Sequence, residues 1–221
     1  NNTITWTTDN KLNKSTLGME SGKWYAECKA TDVNGGTSGT LIGVGTQANL
    51  MKTYLSAVNS GWGYRCQTGN IQNGAGNEAY GDTYTAADVI SCALDLDIGA
   101  IWWGKNGTWQ NSATEAEIEA GNSSKAAQTG LSNYGSEKAG AGWFPTMMNN
   151  TTQASHANFG QHIYFDSTTL TLDTTAGGYF RHAVPDGFKA IHVDNLTESD
   201  SFQSAFCWIK NRDAADAHML F

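Results

Sequence analysis

The chain has 221 residues and carries 13 basic against 21 acidic side chains, so its net charge is -8 at pH 7. Such an acidic surface repels phosphate backbones, which argues against nucleic acid as a partner. No apolar run approaches the ~20 residues of a transmembrane helix, so we expect no membrane insertion. The 25 glycines, 2 prolines and 8 residues each of Trp, Tyr and Phe favour many short strands joined by tight turns.

The first clear element in chain order is a strand between Lys23 and Ala30, preceded by a Thr- and Asn-rich lead-in strand or linker at residues 1–19. Apolar residues occupy every second position of this strand, which predicts one buried and one solvent-facing side. The buried side would carry Trp24, Ala26, Cys28 and Ala30, and the other side Lys23, Tyr25, Glu27 and Lys29.

Three shorter segments follow. Leu41–Thr46 is apolar and β-branched enough to predict a second strand. Residues 47–57 have apolar side chains at helical spacing and predict a short helical turn. Residues 70–81 are rich in Asn and Gly and are expected to form a loop.

The stretch Asp88–Gly107 predicts a β-meander. Alternate residues are apolar up to Leu96, the period of a strand with two different faces. Gly99 accepts a positive φ in the turn that follows, and Asn106-Gly107 is a strong hairpin signal after the short aromatic strand. We expect four side chains of the first strand to be mostly buried: Ile90, Cys92, Leu94 and Leu96.

The segment from Ser112 to Gly142 is rich in Ala, Ser and Asn. Thr114 with Glu117 three residues later predicts a capping box that opens a short surface helix. A strand is then expected at Trp143–Met148, and Tyr179–Ile191 would complete the sheet structure.

Five sequence motifs follow one another between residues 20 and 190. They are Gly22–Cys28 (GKWYAEC), Leu41–Thr46 (LIGVGT), Gly61–Arg65 (GWGYR), the Asp88–Gly107 meander, and Phe144-Pro145 with Asn158–Gln161 (NFGQ). In this order they resemble the motifs of SPRY (B30.2-like) domains. Ser91 departs from the family, which usually has Gly there, and Ser112–Gly142 is an insert. The resemblance implies an all-β fold, an antiparallel β-sandwich of the SPRY or concanavalin-like jelly-roll type.

Residues 191–221 change in character and are expected to be a linker and the start of a second β-rich module. Phe206–Phe221 resembles a segment of marine bacteriophage tail and appendage proteins. This resemblance implies a location in the virion after folding in the host cytoplasm, contact with other virion proteins, and a trimeric fibre. Because the sequence starts without Met and stops abruptly, we also expect a piece of a longer protein.

Candidate chemistry is sparse. Glu115, Glu117 and Glu119 would project from one face if they formed a strand, as in retaining glycoside hydrolases, so a polysaccharide-cleaving enzyme on a concanavalin-like fold remains an alternative. Their small polar neighbours favour a solvated acidic segment instead. Asp95 and Asp97 could suggest calcium, but the EF-hand pattern is absent and a turn role is favoured. Neither the 4 scattered cysteines nor the 5 histidines form a metal motif, so no cofactor and no metal are expected.

Aromatic residues beside Gly- and Asn-rich turns are the remaining binding candidates, because SPRY-like domains place ligand loops there. They could stack on a sugar or anchor a protein, or they could cover the ends of the sheets as core residues. Trp24, Trp102 and Trp143 are assigned to the core. The candidate ligand residues are Trp62, Tyr64, Arg65, Trp109 and Tyr134.

The sequence therefore predicts a non-enzymatic structural and recognition module of a phage tail fibre, appendage or capsid fibre. Its partner would be a glycan or protein of the host surface. A cellular SPRY adaptor that binds a short peptide is the second alternative.

Overall fold

The computed structural model describes residues 3–6, 11–32, 40–46, 61–73, 76–131, 142–149, 153–161, 170–196, 208–209 and 219–220. Strands dominate, as the glycine and aromatic content predicts, and the one α-helix of this part is α1 (Glu115–Glu119). The strands are β1 (Thr3–Trp6), β2 (Lys11–Lys14), β3 (Lys23–Asp32), β4 (Leu41–Thr46), β5 (Gly61–Arg65), β6 (Asn70–Asn73), β7 (Gly76–Ala79), β8 (Val89–Asp95), β9 (Ala100–Lys105), β10 (Thr108–Trp109), β11 (Trp143–Asn149), β12 (Gln153–Asn158), β13 (Thr171–Asp173), β14 (Gly178–Phe180), β15 (Lys189–Ala190), β16 (Trp208–Ile209) and β17 (Met219–Leu220).

Two antiparallel sheets form the predicted β-sandwich. The first sheet has the order β1-β12-β3-β8-β9-β10, and the second has the order β2-β11-β4-β5-β6-β7. β15 pairs in parallel with Trp24 and Tyr25 at the start of β3. β12 pairs with the rest of that strand, from Glu27 onward. The residues of the lead-in segment thus supply one strand to each sheet, through β1 and β2.

The main core lies between the two sheets. Three of the four predicted meander residues are buried there, and Cys92 is partly buried. Trp24 and Trp143 belong to the same core, as expected. Burial of the inner faces of both sheets is the main source of stability for a sandwich of this kind.

A second core covers the outer face of the first sheet, which the sequence pattern did not predict. Tyr25 and Glu27 were expected to face solvent, but they are 0% and 2% exposed. Segments around α1 and β14 cover them, and Ile118 and Phe180 pack into this outer core with Trp102. β3 and β8 are therefore buried on both faces, because a layer from distant sequence lies over the polar side of their alternation.

The meander has the predicted turns. Gly99 has a φ of 69°, and the pair Asn106-Gly107 has φ values of 49° and 82°, as a type I′ turn requires. The Asp95 carboxylate accepts from the backbone N–H groups of Asp97 and Ile98 at 3.0 and 3.3 Å. The bonds of Asp95 are those expected for a turn role. The Asp97 carboxylate instead accepts from the Gly22 N–H at 2.7 Å and so ties the turn to the segment before β3.

The capping box of α1 is also confirmed. Thr114 accepts from the Glu117 N–H, and the Glu117 carboxylate accepts from the Thr114 N–H. Ile118 is the one α1 residue buried in the outer core. The expected loop at residues 70–81 is wrong: β6 and β7 form a hairpin there, held by backbone pairing that needs no apolar side chains. The helical turn expected at 47–57 lies outside the described residues.

Candidate ligand-binding surface

The predicted binding residues lie in different environments. Trp62 is 1% exposed and packs against Trp143 with ring centroids 5.3 Å apart, and Tyr64 is 0% exposed. Neither side chain is presented to a ligand, so for these two the core alternative is correct. Arg65 and Trp109 are partly exposed. Tyr134 lies outside the described residues.

The glycines beside Trp62 explain this correction. Gly43 faces β5 so closely that a Cβ there would come within 1.8 Å of the Trp62 carbonyl oxygen. Glycine in this part of the sheet therefore reflects close backbone approach between strands rather than an exposed turn. Gly43 and β5 therefore pack as neighbouring strands at the position of Trp62.

Buried Tyr64 contacts the segments at Asp82 and Gln110 from the core side. Its hydroxyl donates to the Asp82 carbonyl and lies 3.4 Å from the side-chain oxygen of Gln110. Its ring lies 5.8 Å from that of Tyr80 and 5.3 Å from that of Tyr84. Burial raises the pKa of the Tyr64 hydroxyl, with the Asp82 carboxylate as the second cause, so this group stays a neutral hydrogen-bond donor.

A chain of hydrogen bonds joins Arg65 to Trp109. The turn after β5 is closed by the Gly69 N–H, which donates to the Arg65 carbonyl at 3.0 Å. The Gly81 N–H then donates to the Gly69 carbonyl at 2.9 Å. Next, the Asp82 N–H donates to the side-chain oxygen of Gln110 at 2.7 Å. Gln110 directly follows Trp109, so hydrogen bonds connect the segments that carry Arg65 and Trp109, and the exposed parts of these two residues are together named here the Arg65–Trp109 surface.

Trp109 lies at the edge of the first sheet. Its ring covers Gly104, where an added Cβ would approach the ring to 3.2 Å. It also contacts Tyr25 edge-on, with centroids 6.4 Å apart. One side of the ring is therefore fixed by packing while the remainder is accessible, which is the arrangement of an aromatic anchor.

Next to Trp109, the Asn106-Gly107 turn meets His182. A Cβ on Gly107 would lie 2.9 Å from Nδ1 of His182, so the imidazole sits directly against the turn. Burial lowers the pKa of His182, and the positive charge of Arg181 acts in the same direction. The imidazole is therefore mostly neutral at pH 7.

Glu27 anchors the segment that carries His182. Its carboxylate accepts from the backbone N–H groups of Arg181 and His182, each at 2.9 Å. Tyr25 and Asn158 donate to it at 3.1 and 3.3 Å. Burial raises the pKa of Glu27, while these hydrogen bonds oppose the rise.

The described residues offer little catalytic chemistry. Glu115, Glu117 and Glu119 lie on α1, not on a strand, so they do not form the paired arrangement of jelly-roll glycosidases. No cluster of three or more metal-binding side chains occurs in the part that the structure describes. Within the same residues, no helix has the length and apolarity needed to cross a membrane.

The comparisons with known proteins identify the domain. Residues 23–122 match the SPRY domain family. These residues are a SPRY domain. The crystal structure of the SPRY domain of human HERC1 shares the fold, with a TM-score of 0.52 and 19% sequence identity. That match covers 71% of this chain and 87% of the HERC1 chain. No curated protein matches the sequence.

The SPRY match agrees with the antiparallel architecture. SPRY domains are protein–protein interaction modules and are generally non-catalytic. Ser91, the departure noted in the sequence, has a structural use here because its hydroxyl bonds to Tyr25 in the outer core at 2.9 Å.

Two supports of the surface were missed by the sequence reasoning. Gln110 is 6% exposed and bridges the loop at Asp82 to β10, and Glu27 holds the segment at His182. The one available signal for Gln110 was its position directly after Trp109. Glu27 gave no signal, since its partners lie 154 and 155 residues away in sequence.

Proposed function

We propose that the chain is a non-enzymatic module that recognises another protein through the Arg65–Trp109 surface. The observation that carries this proposal is the position of Trp109, whose ring is held by Gly104 and Tyr25 on one side and accessible on the other. A fixed aromatic ring loses little conformational entropy when a partner covers it.

The chemistry of the surface suggests the type of partner. Trp109 suits an apolar side chain, and the Arg65 guanidinium, which already donates to Gln67 at 2.9 Å, suits a carboxylate or a carbonyl oxygen. An extended peptide segment with an apolar and an acidic residue would engage both positions. Because the chain has a net charge of -8, the positive charge of Arg65 would attract the acidic residue of such a peptide and so orient it.

The test is to select binders from a random-peptide library on the immobilised protein and measure their affinities by fluorescence polarisation. Trp109→Ala and Arg65→Ala should each weaken binding by roughly tenfold or more, as expected for anchor residues. Leu172→Ala is the matched control, because Leu172 is 47% exposed on β13 and lies outside this surface. Peptides that bind folded Trp109→Ala as tightly as the wild type would refute the proposal.

We also propose, on the resemblance of Phe206–Phe221 alone, that the module belongs to a virion protein which attaches to a host-surface glycan or protein as a trimeric fibre. In that segment the structure describes the antiparallel pair β16–β17. A cellular SPRY adaptor fits the family match at least as well. Mass spectrometry of purified virus particles distinguishes them, since absence of the protein from particles excludes the virion role.

A further inference from the structure

An interior cavity of about 520 Å³ lies between the two sheets. Its walls come from β3 and β8 on one side and from β4 and β11 on the other. The lining side chains Ile42, Val44, Ile90, Leu94 and Met147 are at most 6% exposed. The cavity is therefore inside the main core, away from the Arg65–Trp109 surface.

Cys92 gives a second sign that this space is open. It lines the cavity from β8, and burial raises the pKa of its thiol to about 12. Its side chain nevertheless keeps accessible area and is only partly buried. The Cys92 thiol is thus buried in the protein and yet has accessible area. The two findings agree if the accessible part of Cys92 faces the cavity, which then admits at least a water-sized molecule.

Water is a poor occupant for such walls, because it finds few hydrogen-bond partners in an apolar cavity. Leaving a volume of this size unfilled would also cost free energy, since the lining atoms would lose packing contacts. An apolar molecule would recover those contacts and bury its own surface at the same time.

Among the described lining residues, no charge is directed into the cavity. Lys14 borders it, but the Lys14 ammonium donates to the Thr46 carbonyl at 3.1 Å. Glu27 borders it through β3, yet its carboxylate is held on the opposite face of the sheet by the Arg181 and His182 amides. A charged ligand would therefore be buried without a partner charge.

The opening is polar, and the Lys14 ammonium beside it is directed to the Thr46 carbonyl. Asn13 and Ser15, at the end of β2, are partly exposed lining residues, and Phe159 lies among the partly exposed residues as well. The Ser15 hydroxyl donates to the Leu17 carbonyl at 2.8 Å, which leaves its oxygen able to accept. Asn13 adds an amide that can donate and accept.

We propose that the cavity binds a neutral, largely aliphatic molecule that ends in a hydroxyl group, such as a medium-chain alcohol. The hydrocarbon chain lies between the sheets beside Cys92 and Met147, and the hydroxyl meets Asn13 and Ser15 at the opening. A carboxylate with a chain of the same length is excluded by the absence of a partner charge.

The experiment uses the neutral fluorophore N-phenyl-1-naphthylamine and the whole chain. Its fluorescence should rise on binding, and 1-decanol should displace it. Decanoate should compete at least about tenfold more weakly, because its carboxylate would lose hydration at the opening without a positive charge directed toward it. Equal competition by decanol and decanoate, or no fluorophore binding by the folded protein, would overturn the proposal.

The variant Cys92→Phe tests the location of the site. The phenylalanine ring would fill the cavity, so this variant should not bind the fluorophore. Leu172→Phe adds the same ring at an exposed position and should leave binding unchanged. Unchanged affinity in folded Cys92→Phe would assign the signal to another site and reject the cavity. If that variant does not fold, thermal melting of the wild type decides, with decanol expected to raise the melting temperature and decanoate not.

Discussion

Glu27 holds together two parts of the chain that are distant in sequence. Its carboxylate is 2% exposed, accepts from the backbone of Arg181 and His182, and is bordered by Tyr25 and Asn158. A buried carboxylate is tolerated when hydrogen bonds replace its hydration, as four donors do here. Its main role is thus to keep the His182 segment against the first sheet.

Removing this acceptor should destabilise the fold strongly. Glu27→Ala leaves two backbone N–H groups without a partner, and each unsatisfied group costs about 1–3 kcal/mol, so we expect a loss of about 2–6 kcal/mol. Urea unfolding measures the difference. Glu78→Ala on the exposed strand β7 is the control and should change the free energy of unfolding by less than about 0.5 kcal/mol. Equal effects of the two substitutions would contradict the anchoring role.

The raised pKa of Glu27 predicts a pH dependence of stability. The folded state holds this proton more tightly than the unfolded state, whose glutamate titrates near ~4.3. The Glu27 contribution is therefore fully present below that pH and is lost as the pH rises through the folded pKa. Urea titrations at several pH values should show this decline in the wild type relative to Glu27→Gln. If the stability of the wild type relative to Glu27→Gln instead rises with pH, the pKa of Glu27 is lowered in the folded state.

At the scale of elements, the Asp95 side chain stabilises the turn between β8 and β9. Asp95 is 0% exposed, accepts from two turn amides and lies 3.5 Å from the Lys23 ammonium. Lys23 in turn donates to the Glu119 carbonyl at 3.0 Å and sits 5.4 Å from the centre of the Phe188 ring. The turn is thus connected to α1 and to the outer core.

Asp95→Ala should lower stability by about 1–3 kcal/mol, because two turn amides and Lys23 lose their acceptor. Asp95→Asn should cost less, since one side-chain oxygen remains. Thermal melting followed by circular dichroism tests this, with calcium or a chelator added. Identical melting temperatures in both solutions are expected. A calcium-dependent increase that Asp97→Asn abolishes would instead indicate a metal site.

Elements with local signals were predictable from sequence. The meander, the capping box of α1 and the strand at Trp143 each depend on residues a few positions apart. The β6–β7 hairpin was missed because its Asn-rich strands are joined by backbone pairing, without an apolar alternation. The burial of Trp62 was not predicted because glycines serve both turns and close strand contacts.

At the scale of the molecule, the outer core is the main feature that the sequence pattern could not predict. The alternation in β3 indicates a solvent-facing side, but segments around α1 and from residues 170–190 cover that side. Tyr25 and Phe180 meet there edge-to-face, with centroids 4.9 Å apart. No local period encodes such a contact, because it joins segments more than a hundred residues apart.

This layer should be as important for stability as the main core. Phe180→Ala should cost about 3–5 kcal/mol, similar to the 2–5 kcal/mol expected for Leu94→Ala between the sheets. Urea unfolding followed by both tryptophan fluorescence and circular dichroism should give coincident transitions. Leu172→Ala, at an exposed position, should change stability by less than about 0.5 kcal/mol. A small effect of Phe180→Ala would show that the layer is peripheral.

The parallel pairing of β15 with β3 has a consequence for biosynthesis. Lys189 pairs with Trp24, so the ribosome must add well over a hundred residues before β3 receives this neighbour. At about 5–20 residues per second, the wait is roughly 10–30 seconds. During that interval the nascent chain exposes the aromatic side of β3. The synthesis of β15, rather than the pairing of the meander, should therefore set the time at which the domain becomes compact.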